Sequence, residues 1–464
     1  MSTDTLRVAA SAPRHTEPKA PRPWFVLALA VAVLTYSMMQ TMLLPVLPAL
    51  KDALHTDGMG VSWILTAYLL SGAVAAPVLG SFGDRFGHRR MLLVSMGVFV
   101  VGSIIAGIAP NLTLVLIGRV LQGASTASFP LALAIVSTYL SGDERRSATG
   151  WLSGTVGLGA GIALVIGGII AGIAPWQWLF WVGAVFGVLS MVLVAAAVPA
   201  RRATGQARVD YAGITLLAVL LVGVLLVVSQ ASSWGITSPG IVAAAVIALL
   251  AAVALIAVER RVSAPLLDLP VLGRPTIAIG NALGVLLGFV PYLFYVGMPI
   301  LLQTPEPVGA GMGTQATGWV MLPGTLVAFV GGRFASVLMR WMRSAWVSAL
   351  AMVLIAVGAL GIAAWPHDLI ANIVFYAVMG LGAGIGMTVV ADLIARGSEP
   401  HELGGLLGVN GVLRTIGSSF GAPVAMLILA AAAGVTGFVV LFLVAALASI
   451  VGAVLSLCLR TGAR

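Results

Sequence analysis

Charge is what this chain has least of. Its 464 residues include only 24 Lys or Arg and 15 Asp or Glu, against 60% hydrophobic residues. A soluble fold of this length needs more polar surface than that to cover its core. Cysteine is almost missing: Cys458 stands alone, so an internal disulfide is excluded. The five histidines are not spaced with Glu or Cys as a metal site requires. No nucleophile elbow occurs, and no glycine loop followed by Lys to cradle a phosphate. These absences argue against an enzyme, a resident metal or cofactor, and an ATP-driven pump. The net charge of +9 could suit nucleic acid, but no basic face interleaved with aromatics accompanies it. No nucleic-acid partner is expected.

What is abundant is uninterrupted apolar sequence. The mean hydropathy is +1.09. Uncharged runs of about 20 residues, the length that crosses a hydrocarbon core of about 30 Å, follow one another along the chain. They fall at 24–48, 60–80, 91–109, 111–140, 147–173, 176–198, 212–231, 240–258, 276–303, 315–338, 345–364, 369–394, 404–431 and 434–459. The pattern predicts an all-α polytopic protein of the inner or plasma membrane with fourteen transmembrane helices. The 56 Gly and 23 Pro fit a bundle in which small residues allow close helix approach and neighbours tolerate breaks. Positive charge sorts by side. With the N-terminus inside, 20 of the 24 Lys and Arg fall in the tails and the loops of that side, Lys51 alone falls opposite, and Arg119, Arg333 and Arg414 fall within segments. Both termini are therefore expected to be cytoplasmic. Residues 1–23 are polar and lack a cleavage site, so they read as a disordered tail. Residues 460–464 form a second short tail.

The first six segments have an echo in the last six. "GSFGDRFGHRR" (80–90), after the second segment, matches "GRFASVLMRWMR" (332–343) after the tenth, with Ser336 in the place of Asp84. The glycine-spaced fifth segment, "GLGAGIALVIGGIIAG" (157–172), finds a counterpart in "GSSFGAPVAMLI" (417–428). The layout is two pseudo-symmetric six-helix halves, 24–198 and 276–459, around a 199–275 linker that carries two inserted helices. Like halves facing one another imply a central cavity that opens to one side at a time. A monomer in contact with membrane lipids, with a small-molecule substrate, is expected.

Four stretches carry a family resemblance: "GSFGDRFGHRR", "LIGRVLQG" (116–123), "WILTAYLL" (63–70), and the glycine-rich fifth segment followed by "WQWLFWVG" (176–183). With them the chain resembles the major facilitator superfamily, and specifically its fourteen-helix drug:proton antiporter branch, from about residue 24 onward. The resemblance implies a secondary transporter that exports a lipophilic or amphipathic compound, with protons as coupling ion. The span-1 acid of that branch is replaced here by Met38, Met39 and Gln40, and the Gly-Pro pair of its fifth segment by Ala163 and Leu164. A uniporter or importer of a small metabolite, and a non-transporting sensor with the same fold, therefore stay open.

The charged stretch reads as a gate. Gly80 and Gly83 would permit close packing with a neighbouring span, and Gly87 would supply the turn. Asp84 could face the N-terminus of the thirteenth segment near Gly404. Arg85, Arg89 and Arg90 could pair with Asp143 or Glu144, or simply fix topology. Arg119 lies deep in the fourth segment, where a charge must face protein or a wet cavity. It is either part of a proton relay, as the resemblance implies, or tied to backbone carbonyls and Gln122. Gln122, Asp392 and Arg414 are further relay candidates, since none of the 15 acids falls at a clear mid-span position. Gly154, Gly157, Gly161, Gly167 and Gly168 make a smooth face that serves either helix sliding or close packing alone. Met38, Met39, Gln40, Asn281, Tyr292, Tyr295, Gln303 and Asn410 are candidates to line a cavity for amphipathic ligands.

Overall fold

The computed structural model describes residues 24–46, 50–51, 53–56, 58–200, 210–261, 269–399, 403–432 and 434–459. Both tails, part of the 199–275 linker, and Arg201, Arg202 and Arg208 lie outside the described residues. The rest is helical, with no strand among the described residues. The first group comprises α1 (Phe25–Thr41), α2 (Gly58–Phe86), α3 (His88–Gly107), α4 (Leu112–Gln122), α5 (Ser128–Tyr139), α6 (Gly142–Ile173) and α7 (Gln177–Ala197). Then come α8 (Tyr211–Trp234), α9 (Pro239–Glu259) and the short α10 (Leu269–Leu272). The last group is α11 (Pro275–Gln303), α12 (Thr314–Trp341), α13 (Ser344–Ala364), α14 (Leu369–Gly397), α15 (Leu403–Ala431) and α16 (Val435–Leu457). Among the described residues, twelve helical stretches are long and apolar enough to cross a membrane. α8 and α15 are helices of 24 and 29 residues besides.

α4 and α5 form one crossing broken by a 3₁₀ turn over Gly123–Ala127. The cause is Pro130, which has no N–H to give the Thr126 carbonyl and whose ring crowds it. The small residues of the turn let α2 close in. Thr126 Oγ1 donates to the Gly72 carbonyl at 2.8 Å, and a Cβ on Gly123 would collide with Ser71.

Helix pairs repeat between the two groups. α1 packs on α6 and α7, and α3 on α4 and α7; likewise α11 packs on α15 and α16, and α13 on α14 and α16. The groups meet along two seams. At the first, α6 presents Gly150, Gly154, Gly157 and Gly161, spaced four, three and four apart on one helical face, to α12. A Cβ on Gly154 would lie 2.7 Å from the Phe329 carbonyl, one on Gly157 3.2 Å from Ala328 Cβ, and one on Gly161 would strike Thr325. The second seam joins α2 to α15, and α8 lies along it. Ala73 and Ala76 of α2, Val412 of α15 and Leu217, Leu221 and Leu225 of α8 form one apolar cluster. α9 packs outside α8, where Gly223 admits Ala248.

The charged stretch is less of a loop than its composition predicts. α2 runs on through Phe86 and α3 starts at His88, leaving Gly87 alone between them at φ +96°, a conformation open to glycine. Gly80, Gly83, Asp84 and Arg85 are helical. Both helices simply outlast the apolar run that marks the membrane.

Candidate functional site

At the centre, between the two groups, is a cavity of about 70 Å³. α1 contributes Tyr36, Ser37, Gln40 and Thr41; α6 contributes Ser153, Val156, Gly157 and Ala160. From the other group come Pro291, Tyr292 and Tyr295 of α11, Ala328 of α12, Gly384 and Met387 of α14, and Arg414, Thr415 and Ser418 of α15. Pockets for drug-sized ligands run to roughly 300–1,000 Å³, so the cavity in this conformation is too small for such a ligand. The walls are held by side chains bonded to neighbouring backbone: Ser37 Oγ donates to the Val156 carbonyl, and Thr41 Oγ1 to that of Ala160 at 2.7 Å. Tyr292 and Tyr295 meet edge to face, centroids 6.2 Å apart.

Arg414 sits eleven residues beyond Leu403 in α15 and is 9% exposed. Its Nη2 donates to Tyr36 Oη at 2.9 Å, across the halves, and its Nη1 to Met387 Sδ at 3.4 Å. The guanidinium lies 4.9 Å from the centre of the Phe129 ring, again on the opposite half.

Arg119 is fully buried inside the first group. Nε donates to the Ile64 carbonyl at 2.9 Å, and Nη1 to the Met39 carbonyl at 3.2 Å and Gln122 Oε1 at 3.1 Å. Gln122 Nε2 continues to Ser103 Oγ at 2.9 Å, and the guanidinium rests 4.3 Å over Tyr68. Tyr68 Oη in turn donates to the Tyr36 carbonyl at 3.0 Å. These contacts match the structural alternative for Arg119, a charge tied to carbonyls and Gln122.

The other candidates separate in space. Asp392 is 12% exposed on its side chain and accepts from Arg396 Nε at 2.6 Å and Ser344 Oγ at 2.9 Å. It lines a different crevice, of about 180 Å³, with Arg145 of α6 across from it. The four relay candidates therefore form no single chain. Met38 and Met39 are corrected from cavity to core: Met39 packs against Gly183 near Phe99, turned away from Gln40 by the helical step of about 100° per residue. Asn410 Nδ2 donates to Asn281 Oδ1 at 3.2 Å and the Gly280 carbonyl at 3.1 Å, so this pair fastens α11 to α15 instead of facing the cavity. Gln303, the last residue of α11, does not line the cavity. Gly167 and Gly159 pack on α1, at Met42 and Ser37, and not on the seam; Gly168 is buried.

The gate differs too. Asp84 is 53% exposed on its side chain, and its partner among the described residues is His88 Nε2 at 3.0 Å, one turn away. Arg89 donates to the Ala195 carbonyl at 2.8 Å, Arg85 lies 5.3 Å from the Phe86 ring centre, and Arg90 is exposed. None of the three pairs with Asp143 or Glu144 among the described residues. A Cβ on Gly80 would meet nothing within 4 Å, so close packing does not account for it, whereas one on Gly83 would meet His88 and Leu131. Sequence reading missed His88, although its i+4 spacing from Asp84 was a signal. It also missed Tyr36 and Met387, whose types carry none.

Residues 29–422 match the Major Facilitator Superfamily. Among curated proteins, the chain is 30% identical over 406 residues to an uncharacterised transporter of that type from Mycobacterium tuberculosis, covering 85% of this chain and 57% of that protein. The chain thus spans little more than half the length of that relative. It is 28% identical to the tetracenomycin C resistance and export protein of Streptomyces glaucescens, over 89% of this chain and 77% of that one. It is 26% identical to a multidrug transporter protein of Bacillus subtilis, over 78% and 67%. In fold it resembles the crystal structure of the human organic anion transporter TETRAN, with a TM-score of 0.67 at 14% identity, covering 93% of this chain and 98% of that one.

Proposed function

The chain belongs to the Major Facilitator Superfamily and is a multi-pass membrane transporter rather than an enzyme; from that premise we propose that it exports a lipophilic or amphipathic small molecule by alternating access, in exchange for protons. The observation that carries this reading is the central cavity lined from both groups of helices. A site shared by two halves changes the side it faces whenever the halves rock. The similarity to the Streptomyces export protein and the Bacillus multidrug transporter supports export. A lining of Gln40, Tyr292 and Tyr295 suits an amphipathic ligand.

In this reading α8 and α15 also cross, for fourteen crossings. Residues 24–198 and 276–459 are the halves, α8 and α9 are inserted between them, and the arginine-rich ends and both termini face the cytoplasm. The α2–α3 corner, from Gly80 through Arg90, gates that side. Asp392 takes up the proton, because it lies in a crevice between the halves, opposite Arg145. Gly154, Gly157 and Gly161 form the sliding face. Arg119 and Gln122 brace the first half.

A reversible lock tests the cycle. A Cβ at Gly150 would lie 2.9 Å from Ser336 Oγ, so Gly150→Cys with Ser336→Cys, in a Cys458→Ser background, should form a disulfide across the seam. Oxidation is expected to stop efflux of an amphipathic dye from energised cells, and reductant to restore it. Undiminished efflux with the bond formed would defeat alternating access. A protonophore and Asp392→Asn should each abolish efflux; efflux indifferent to the protonophore would leave a uniporter in its place.

A further inference from the structure

The two buried arginines among the described residues are held in unlike ways. Arg119 has three oxygen acceptors, all from its own half, and only its Nη2 is left without one. Arg414 has one oxygen, from a neutral phenol, and one thioether sulfur, a weak acceptor. A guanidinium carries five N–H donors and demands a strong partner once it is out of water. Arg414 is also the one charged group among the described residues that line the central cavity, and no carboxylate lines it. Of the nearby polar groups, Tyr292 and Tyr295 carry phenolic hydroxyls, while Thr415 and Ser418 give theirs to the Gly411 and Arg414 carbonyls. A cation entering this space would meet a like charge in a low-dielectric site. An anion would meet a fork of donors, an aromatic pair to pack against, and a charge that lacks a counter-ion.

We infer that the molecule carried through the central cavity is an organic anion, a carboxylate or a group of similar acidity on an aromatic or aliphatic body, and that Arg414 binds its charge. The inference rests on the cavity being the transport site. Binding replaces the Met387 sulfur and the Tyr36 hydroxyl with charge-assisted hydrogen bonds, which are shorter and stronger. It also releases Tyr36 from the opposite half. The ligand thus competes with the contact that closes the halves on each other. Export of such a monoanion moves one negative charge outward, so an inside-negative potential favours it.

Two matched probes decide the matter: 2-naphthoate and (2-naphthylmethyl)trimethylammonium, which share a ring and differ in charge. With purified full-length protein, 2-naphthoate is expected to raise the thermal unfolding midpoint saturably, while the ammonium and equimolar chloride do not. Arg414→Gln should weaken the naphthoate response about tenfold or more, the loss of one charged hydrogen bond. Arg414→Lys, which keeps the charge without the planar fork, should retain part of it. In proteoliposomes, counterflow of labelled naphthoate should follow the same order. Equal or better stabilisation by the ammonium would overturn the inference, and so would equal stabilisation by chloride or a full naphthoate response in a folded Arg414→Gln. The preference of the wild type is read without any variant, so a misfolded variant leaves the test intact. Naphthoate binding without counterflow of any probe would sink the exporter reading and leave the anion assignment standing.

Discussion

Arg119 and Arg414 are the same residue type, both buried, in two groups of helices that repeat one another's packing, yet they are held in opposite ways. Arg119 is enclosed by α1, α2 and α4 of a single group, and its three acceptors, on Ile64, Met39 and Gln122, belong to that group. Arg414 reaches out of its own group to Tyr36 and Phe129 of the other. The first contact survives any rigid rotation of the halves, while the second must break. Contacts within a half set stability, and contacts between halves set the balance between conformations. Tyr36 joins the two systems: its carbonyl accepts from Tyr68 beneath Arg119, and its hydroxyl accepts from Arg414.

The largest effect that could break this comparison is on folding. Arg119→Ala removes a large buried side chain and strands Gln122, for a loss on the order of 3–5 kcal/mol. The variant should fail to accumulate in the membrane or melt far below wild type, by fluorescence-detected gel filtration. Arg414→Ala should accumulate and melt near wild type while losing naphthoate counterflow. If the two variants behaved alike, the division of labour would be wrong. Next in size is the seam. Gly161→Leu drives a side chain into Thr325 of the opposite half, whereas Gly172→Leu meets open space. Overpacking of this kind costs about 1–3 kcal/mol, here charged to the closed conformation alone. Cysteine accessibility around the cavity should rise in the first variant and stay unchanged in the second. The smallest effect belongs to Tyr36→Phe, which removes one acceptor from Arg414 and leaves the carbonyl to Tyr68. About 1–2 kcal/mol of inter-half attraction should go, seen as a severalfold faster conformational exchange with no change in melting.

Much of the bundle was legible because apolar length is a one-dimensional signal. The run from 111 to 140, read as one crossing, is one stretch long and apolar enough to cross, and its break at Pro130 is local. Facing direction was not legible. Met38, Met39 and Gln40 are consecutive, and only the rotation of α1 decides that Gln40 lines the cavity while the methionines enter the core. Asn281 and Asn410 each resemble a ligand contact until their mutual hydrogen bond is known. The glycines of α6 looked like one face and are two, with Gly154, Gly157 and Gly161 toward α12 and Gly159 and Gly167 toward α1. Asp84 stood out as an acid among bases, and its partner proved to be its own neighbour His88, four residues on across a single-glycine corner.

The roofing of one seam by α8 gives the molecule a front and a back as the lipid meets it. Two bodies that rock open one crack as they shut another, and here a helix from between the two groups, α8, lies along the crack between α2 and α15, while α6 and α12 meet through the glycine face, with α14 of the second group beside them. Any gaping at the back must drag Leu217, Leu221 and Leu225 across Ala73, Ala76 and Val412, short side chains that offer little to catch on. At the front, acyl chains can follow the moving helices directly. In the proposed cycle the bilayer would grip the two seams unequally, and a change in lipid thickness or stiffness would act differently on α6 and α12 than on the seam along which α8 lies.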